Sequence, residues 1–235
     1  MRFILILILL PFSIFSQEKD SLKIKVSGFL ETYYAYDFSS PTTDSKLSFM
    51  YNYNRHNEFN VNNGLIRAQL QYGNTYASIA VHAGTYVDDN YASEDIKLVS
   101  EAYVGMYLND NKKSSIEVGI MPSYIGFESA TTATNLTLTR SILAENSPYF
   151  MTGIKYNYKP NDKWSFSGLV TNGWQRINRP DKTVTPALGT QIIYKPSEKA
   201  TLNWSTFIGK EFYGTELAMR YFSNLYWDNT WNSKW

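Results

Sequence analysis

The residues of this sequence that could do chemistry are charged side chains placed at regular positions along alternating apolar and polar segments. Six of them fall on the polar side of the alternation, and three more lie in one long irregular segment. The first set is Glu31, Arg67, His82, Glu101, Glu117 and Lys155, and the second set is Glu128, Arg140 and Glu145. Acids and bases that surround a narrow aqueous space create a transverse field, in which small polar solutes align. We therefore predict that the first set lines such a space and that the second constricts it.

Each set has a simpler interpretation. The charged residues of the alternating segments could pair with one another and fill a closed interior, since eight strands already enclose a space that side chains fill. In the irregular segment, Arg140 and Glu145 could form a local ion pair on a short turn, and Glu128 could be solvated.

Catalysis and metal binding are not expected. The sequence has two histidines, His56 and His82, and no cysteine. A hydrolase needs a histidine oriented by a carboxylate or amide beside a nucleophile, whereas Ser78 shares a face with His82 only through ordinary alternation. Neither histidine has a second metal ligand at a suitable spacing. We predict that the chain is not an enzyme and that it has no catalytic residue, metal site or cofactor.

The composition excludes one class of partner and favours one class of fold. Lys and Arg number 22 against 21 Asp and Glu, so the chain lacks the basic excess of a nucleic-acid-binding protein. Aromatic residues make up 16% of the sequence, which favours β-strands.

The first 16 residues are typical of a secretory signal peptide. An arginine precedes an apolar run from Phe3 to Phe15, and the small residue Ser16 follows. The run is shorter than the about 20 residues that cross a bilayer as a helix, although a membrane anchor is the alternative interpretation. No later run is long enough, so a chain embedded in a membrane would have to form a closed β-barrel. We predict a signal peptide over 1–16 and one domain over 17–235.

Alternation with a period of two residues recurs along this domain, as expected for strands with one apolar face. The first segment is longer than the usual strand of about 5–6 residues and suits a tilted membrane strand. Ten segments alternate in this way, at 24–36, 66–72, 77–84, 101–108, 115–120, 150–158, 164–171, 188–194, 202–209 and 217–226. We predict an all-β fold, an antiparallel up-and-down transmembrane β-barrel with about ten strands in this chain and more if the full-length protein is longer.

The connections between these segments alternate in length. Short turns are expected at 73–74, 109–113, 159–163 and 195–199, and longer links at 39–57, 87–95, 122–147, 173–186 and 210–215. Short periplasmic turns and long outer loops are typical of transmembrane barrels. The longest irregular stretch lies within Met121–Ile154, and prolines at 122 and 148 bracket it. We predict that the 122–147 loop folds into the mouth of the barrel.

The C-terminus has two interpretations. Residues Asn232 to Trp235 resemble Asn161 to Trp164, which opens a strand, so the chain would be a fragment that stops where a further strand begins. Alternatively, Trp235 is the terminal aromatic residue of a complete barrel. We favour the fragment.

Three motifs, MPSYIGFESA, LTLTRSILAENSPYFMTGIKY and LVTNGW, resemble those of the porin-like outer-membrane β-barrel proteins of Bacteroidetes. The matching positions are Met121-Pro122, Gly126 to Glu128, Arg140-Ser141, Ala144 to Tyr149, Thr152-Gly153 and Asn172 to Trp174. The resemblance covers about residues 28–222 and is strongest over 117–174. Chains of that family are usually longer and have more strands, which favours a truncated member here.

The resemblance implies the outer membrane of a Gram-negative bacterium, with outer-membrane lipid, small polar solutes and the barrel-assembly machinery as partners. It implies neither nucleic-acid binding nor a particular solute or oligomeric state. We therefore expect a porin-like channel for passive diffusion of small polar solutes, narrowed by the 122–147 loop. Two alternatives stay open: a closed outer-membrane barrel with a structural, adhesin or ligand-binding role through its outer loops, and a secreted soluble β-sandwich.

Overall fold

The structure is a computed structural model, and it describes residues 21–39, 41–42, 46, 49–91, 94–179 and 185–231. The predicted signal peptide at 1–16 and the residues Asn232 to Trp235 lie outside the described residues, so both predictions there stay predictions.

The described residues form one sheet of ten strands, in which each strand pairs antiparallel with its neighbour in sequence. The strands are β1 (Lys23–Tyr34), β2 (Phe59–Tyr72), β3 (Thr75–Ala83), β4 (Val99–Tyr107), β5 (Ser114–Pro122), β6 (Phe150–Tyr158), β7 (Trp164–Thr171), β8 (Ala187–Ser197), β9 (Ala200–Tyr213) and β10 (Glu216–Asn229). Two short helices, α1 (Thr85–Asn90) and α2 (Ile142–Glu145), and one 3-10 turn (Thr132–Thr134) lie in the links. This confirms the predicted all-β, up-and-down architecture. A single sheet does not match a sandwich of two packed sheets.

The two faces of the sheet differ in chemistry. In β4, Val104 and Met106 point to one face and are 56% and 49% exposed, while Glu101 and Gly105 point to the other face and are buried. Large apolar side chains that are exposed on one face are typical of a barrel wall that faces lipid. We call the opposite, polar face the inner face. No helix among the described residues is long and apolar enough to cross a bilayer.

Within the described residues, β1 pairs only with β2 and β10 pairs only with β9. These two strands are therefore the edges of the sheet.

The alternation of short and long links holds for the first eight connections and fails at the ninth. The predicted long link at 210–215 is wrong, because β9 continues to Tyr213 and only Gly214 and Thr215 separate it from β10. Gly214 has a φ of 63°, a conformation that glycine adopts without steric cost, and such residues allow two-residue hairpin turns.

The second strand also extends further than predicted, because a β-bulge interrupts its alternation. The pairing with β1 shifts between Glu31 and Thr32, which leaves Asn62 as the extra residue of β2. Asn62 and Asn63 are consecutive and both have 0% exposure. The bulge therefore places two amide side chains in the interior, where strict alternation would place one.

Two apolar clusters pack beneath the links. The first joins α1 to the ends of β5 and β6 and consists of Tyr86, Val87, Tyr91, Ile120, Phe150 and Ile177. The second packs the start of the 123–149 link onto the inner face of β6 to β9 and consists of Tyr124, Ile125, Met151, Leu169, Ala187 and Phe207. The links are thus part of the core of the folded domain.

Two glycines allow β4 to β7 to approach closely. Gly119 of β5 and Gly153 of β6 lie opposite each other, with φ values of 132° and 156°. A Cβ on Gly119 would lie 2.1 Å from the Ala102 carbonyl oxygen, and one on Gly153 would lie 2.1 Å from the Val170 carbonyl oxygen.

Candidate functional site

The link over residues 123–149, here called the inner loop, crosses the inner face of the sheet. The Phe127 ring contacts the Tyr226 ring of β10 at 5.4 Å. At the other edge, the Thr132 hydroxyl donates a hydrogen bond to the Glu31 carboxylate of β1. Tyr226 pairs with Asn203, close to the short turn between β8 and β9. The inner loop therefore contacts both edge strands, and at β10 it reaches the end of the sheet that carries the short turns.

The first anchor of the inner loop is Tyr124. Its hydroxyl donates a hydrogen bond of 2.6 Å to the Thr206 carbonyl, and its own carbonyl accepts bonds of 2.9 Å from Ser205 and from Gln191. The ring lies over Gly189 of β8, where a Cβ would be 2.1 Å from the Tyr124 hydroxyl oxygen. Gly189 therefore provides the space that the tyrosine occupies.

We expect Gly189→Ala to loosen this anchor, because the added methyl group and the Tyr124 hydroxyl cannot occupy the same space. Overpacking of this kind costs about 1–3 kcal/mol. Amide hydrogen exchange over residues 123–127 should accelerate, while exchange in β8 itself changes little. Gly64→Ala is the matched control, since its Cβ would lie 3.4 Å from the mobile end of Leu30. Equal exchange in both variants would contradict the anchoring role.

The second anchor is Glu31, on which three donors converge. The Tyr53 hydroxyl lies 2.5 Å from one carboxylate oxygen, which also accepts the Thr132 hydroxyl, and the Asn62 amide donates to the other oxygen at 2.6 Å. Burial, together with the hydrogen bond to Glu31, raises the pKa of Tyr53 to about 12. The Tyr53 hydroxyl therefore stays protonated at physiological pH and donates its hydrogen bond to the Glu31 carboxylate.

A line of amides continues from Glu31 to the far end of the inner loop. The Asn62 amide also donates to the Asn52 side chain at 2.9 Å, and Asn52 donates to the Glu145 carboxylate at 3.1 Å. Asn52 belongs to the link between β1 and β2, so that link lies between the wall and the inner loop. Both asparagines are almost fully buried.

Arg140 and Glu145 form the third anchor, an ion pair of 3.4 Å whose side chains are 0% and 5% exposed. The Arg140 guanidinium lies 3.9 Å from the centre of the Tyr149 ring and 4.9 Å from that of Tyr86. Burial alone would lower the pKa of Arg140, but the two phenol groups and Glu145 hold it above its ordinary value. The two terminal nitrogens of the guanidinium have no hydrogen-bond partner. The pair is local in sequence, as the simpler interpretation has it, but it is buried.

Glu128 lies apart from this pair. Its carboxylate accepts hydrogen bonds from the backbone N–H of Ser141, at 3.0 Å, and from the Ser141 hydroxyl. The Ser141 hydroxyl in turn accepts from the Ala144 amide and caps α2. The three charged residues predicted in the loop therefore do not converge on one point, and Glu128 fixes the shape of the loop.

The predicted residues of the wall occur mainly as pairs of opposite charge. Arg67 of β2 binds Glu101 of β4, which also accepts a bond of 3.0 Å from Ser78. Lys155 of β6 lies 3.6 Å from Glu117 of β5. These pairs place acids and bases side by side on the inner face. That the residues line a pore stays a prediction.

His82 is buried on the inner face of β3, where its contacts are packing and hydrogen-bond contacts within the fold. Its Nε2 lies 3.0 Å from the Lys97 carbonyl, and its ring makes an edge contact with Tyr91 at 4.7 Å. No group of three or more metal-binding side chains occurs in the part of the chain that the structure describes.

Several residues that anchor the links or line the cavities were not selected from the sequence. They are Asn52, Tyr53, Arg55, Asn62, Asp89, Trp174, Arg176, Glu211 and Arg220. The asparagines of β2 carried a usable signal, because asparagine is depleted in strands and two in succession suggest a polar interior or a bulge. The link residues gave no such signal in the sequence, since their partners lie far away along the chain.

Two cavities lie beside the inner loop. One, of about 240 Å³, is bounded by the wall pair Arg67 and Glu101 and by Glu128 and Tyr149 of the loop. The other, of about 440 Å³, is lined by Tyr51, Asp89, Asn90, Glu145, Asn146, Ser147, Trp174, Gln175, Arg176 and Arg220. The first cavity touches two of the wall residues predicted from sequence, and the second touches none of them.

A pH-sensitive contact between Glu94 and Ile177 joins two links. The Glu94 carboxylate accepts a bond of 3.1 Å from the Ile177 amide, and burial raises the pKa of Glu94. The Ile177 hydrogen bond itself favours the ionised carboxylate, but burial outweighs it and keeps the folded-state pKa above the ordinary value. The packing of the two links around Glu94 is therefore most stable below the ordinary pKa of glutamate and loses stability as pH rises through the raised value.

We therefore expect hydrogen-exchange protection of the Ile177 amide, corrected for intrinsic rates, to fall as pH rises through the raised pKa of Glu94. Glu94→Gln should remove this dependence. The Tyr149 amide, which donates to the uncharged Gln175 side chain, is an internal control. A pH-independent Ile177 amide in the unmodified protein would refute the expectation.

An up-and-down sheet with an apolar outer face, a charged inner face and a long loop held across that inner face defines the class of porin-like outer-membrane β-barrels. Residues 23–235 match the family described as putative beta-barrel porin-2, OmpL-like, and the chain belongs to this family. The match confirms the resemblance to porin-like barrel proteins. No curated protein and no solved structure matches the chain. Membership of a porin family implies the outer membrane of a Gram-negative bacterium and favours a channel role over a catalytic one.

Proposed function

We propose that this protein is an outer-membrane channel for passive diffusion of small polar solutes and that the loop over 122–147 narrows it. The observation that carries the proposal is the attachment of the inner loop to both edge strands, through Phe127 at β10 and Thr132 at β1. A loop attached to both edge strands and lying across the inner face limits the cross-section that solutes can use.

The charge pattern supports polar solutes. Arg67 with Glu101 and Lys155 with Glu117 present alternating charges on the inner face, and such a surface favours solutes with dipoles over apolar ones. We further propose that a signal peptide over 1–16 is cleaved, that the barrel-assembly machinery inserts the chain and that outer-membrane lipid surrounds it.

Planar-bilayer recordings of the refolded full chain test the proposal. We expect discrete conductance steps in the unmodified protein and larger steps in Tyr124→Ala, because that variant removes the first anchor of the inner loop. Tyr194→Ala is the matched control, because Tyr194 lies on the outer face of β8, away from Tyr124 and the inner loop. This variant should conduct like the unmodified protein. Absence of conductance in all three folded proteins would reject the channel, and equal steps would reject narrowing by the loop.

A second candidate is a closed barrel that acts through its outer loops. The two apolar clusters beneath the links favour it, because Tyr86, Tyr91 and Phe150 occupy interior volume that a wide pore would leave to water. Liposome swelling in small sugars separates the two candidates, since only a channel allows the sugars to enter.

A further inference from the structure

The cavity of about 440 Å³ includes only one residue that the sequence analysis selected, Glu145, and four of the side chains that line it are charged. Two of these are acids, Asp89 and Glu145, and two are bases, Arg176 and Arg220. How these charges are balanced decides what the cavity can hold.

Each carboxylate at this cavity already has an arginine. Asp89 receives two hydrogen bonds, of 2.6 and 2.8 Å, from the fork of Arg55. Glu145 is paired with Arg140 at 3.4 Å. A cationic ligand would therefore have to displace an arginine from a carboxylate.

Arg176 is balanced in the same way. Its Nε lies 3.5 Å from the carboxylate of Glu211, a buried residue of β9 that also accepts a bond of 2.6 Å from the Trp174 amide. The remaining basic side chain of the cavity is Arg220.

Arg220 of β10 has no carboxylate within ion-pair distance in the described part of the chain. Its guanidinium carbon lies 4.7 Å from the centre of the Trp174 ring and 5.5 Å from that of Tyr213, and its Nε donates to the Tyr213 hydroxyl at 3.3 Å. Aromatic contacts use the faces of the guanidinium and leave the two terminal nitrogens at its edge free to bind an anion in a bidentate manner.

We propose that this cavity binds the anionic group of a small organic monoanion on Arg220, and that the channel thereby favours such solutes over neutral solutes of the same size. The charge count supports a single anionic group, because Arg220 is the one base of the described cavity wall without an acid. The proposal rests on the proposed channel function.

Solute flux into proteoliposomes tests this proposal with gluconate and sorbitol, two six-carbon polyhydroxylated solutes of which only gluconate is charged. In the unmodified protein, gluconate should enter faster than sorbitol. A charge-assisted bidentate contact is equivalent to about a tenfold preference. Arg220→Met should remove this preference, measured as the ratio of gluconate flux to sorbitol flux, and Arg220→Lys should retain only part of it because an ammonium lacks the planar fork.

Lys210→Met is the matched control. Lys210 pairs with Met219, next to the pair of Gly209 and Arg220, but its side chain lies on the outer face. This variant removes one positive charge at the same height of the wall and should keep the preference for gluconate.

The outcomes separate the two proposals. If neither solute enters, the channel function fails. If sorbitol enters and gluconate is not preferred, or if Arg220→Met keeps the preference, only the monoanion site is overturned. The comparison of gluconate flux with sorbitol flux in the unmodified protein tests the monoanion site even if a variant does not fold.

Discussion

Replacing Arg140 by methionine should release the inner loop from the wall. The guanidinium is completely buried, and its removal leaves the buried Glu145 carboxylate without its counter-charge. Breaking a buried pair by removing one partner costs about 3–5 kcal/mol. The chain has no cysteine, so Ala144→Cys places a single thiol at a buried position of α2. Its alkylation should be on the order of a hundredfold faster or more when Arg140→Met is added.

Two comparisons make this result specific. Arg140→Met combined with Glu145→Gln should label more slowly than Arg140→Met alone, because no unpaired charge is then buried. Lys159→Met removes an exposed pair with Asp162, whose side chains are 57% and 105% exposed, and should have no effect. Unchanged labelling in Arg140→Met would show that the ion pair does not hold the loop.

Gly119→Ala should strongly destabilise the sheet at the junction of β4 and β5. The added Cβ would meet the Ala102 carbonyl oxygen at 2.1 Å, and backbone cannot yield as a flexible side chain can. Overpacking costs about 1–3 kcal/mol, and a φ of 132° that alanine rarely adopts adds about 1–3 kcal/mol. The unfolding midpoint in urea, measured in lipid vesicles, should therefore fall markedly.

The matched control for this variant is Gly168→Ala in β7, whose Cβ would have no atom within 4 Å. It should leave the midpoint unchanged or raise it slightly, because alanine restricts the unfolded chain. A similar fall in both variants would mean that the close approach at Gly119 is not the cause.

Much of the fold followed from the sequence because one physical rule applies along its whole length. Strands such as β6 and β7, which are 150–158 and 164–171 in both prediction and structure, alternate without interruption. The rule failed where local geometry changed the period. The bulge at Asn62 hid the first half of β2, and Gly214 allowed a two-residue turn where a long link was predicted.

The site was less accessible to prediction, since its contacts join residues far apart in sequence. Glu31 was selected as a charged residue on the polar face, but its partners Tyr53 and Thr132 come from two different links. Arg220 lies in the least regular segment, and one of the two rings that it contacts, Trp174, belongs to the link between β7 and β8. Periodicity identifies the face on which a residue lies, but it gives no information on which links fold onto that face.

The attachment of the inner loop to β1 and to β10 has a consequence for the order of assembly. Thr132 and Glu31 are 101 positions apart, and Tyr226 lies in the fifth strand that follows Phe127. Contacts of such sequence separation form late, because the intervening chain must be ordered first. We therefore expect the loop to close after the sheet is complete, so that a newly inserted molecule is transiently leakier than the mature one.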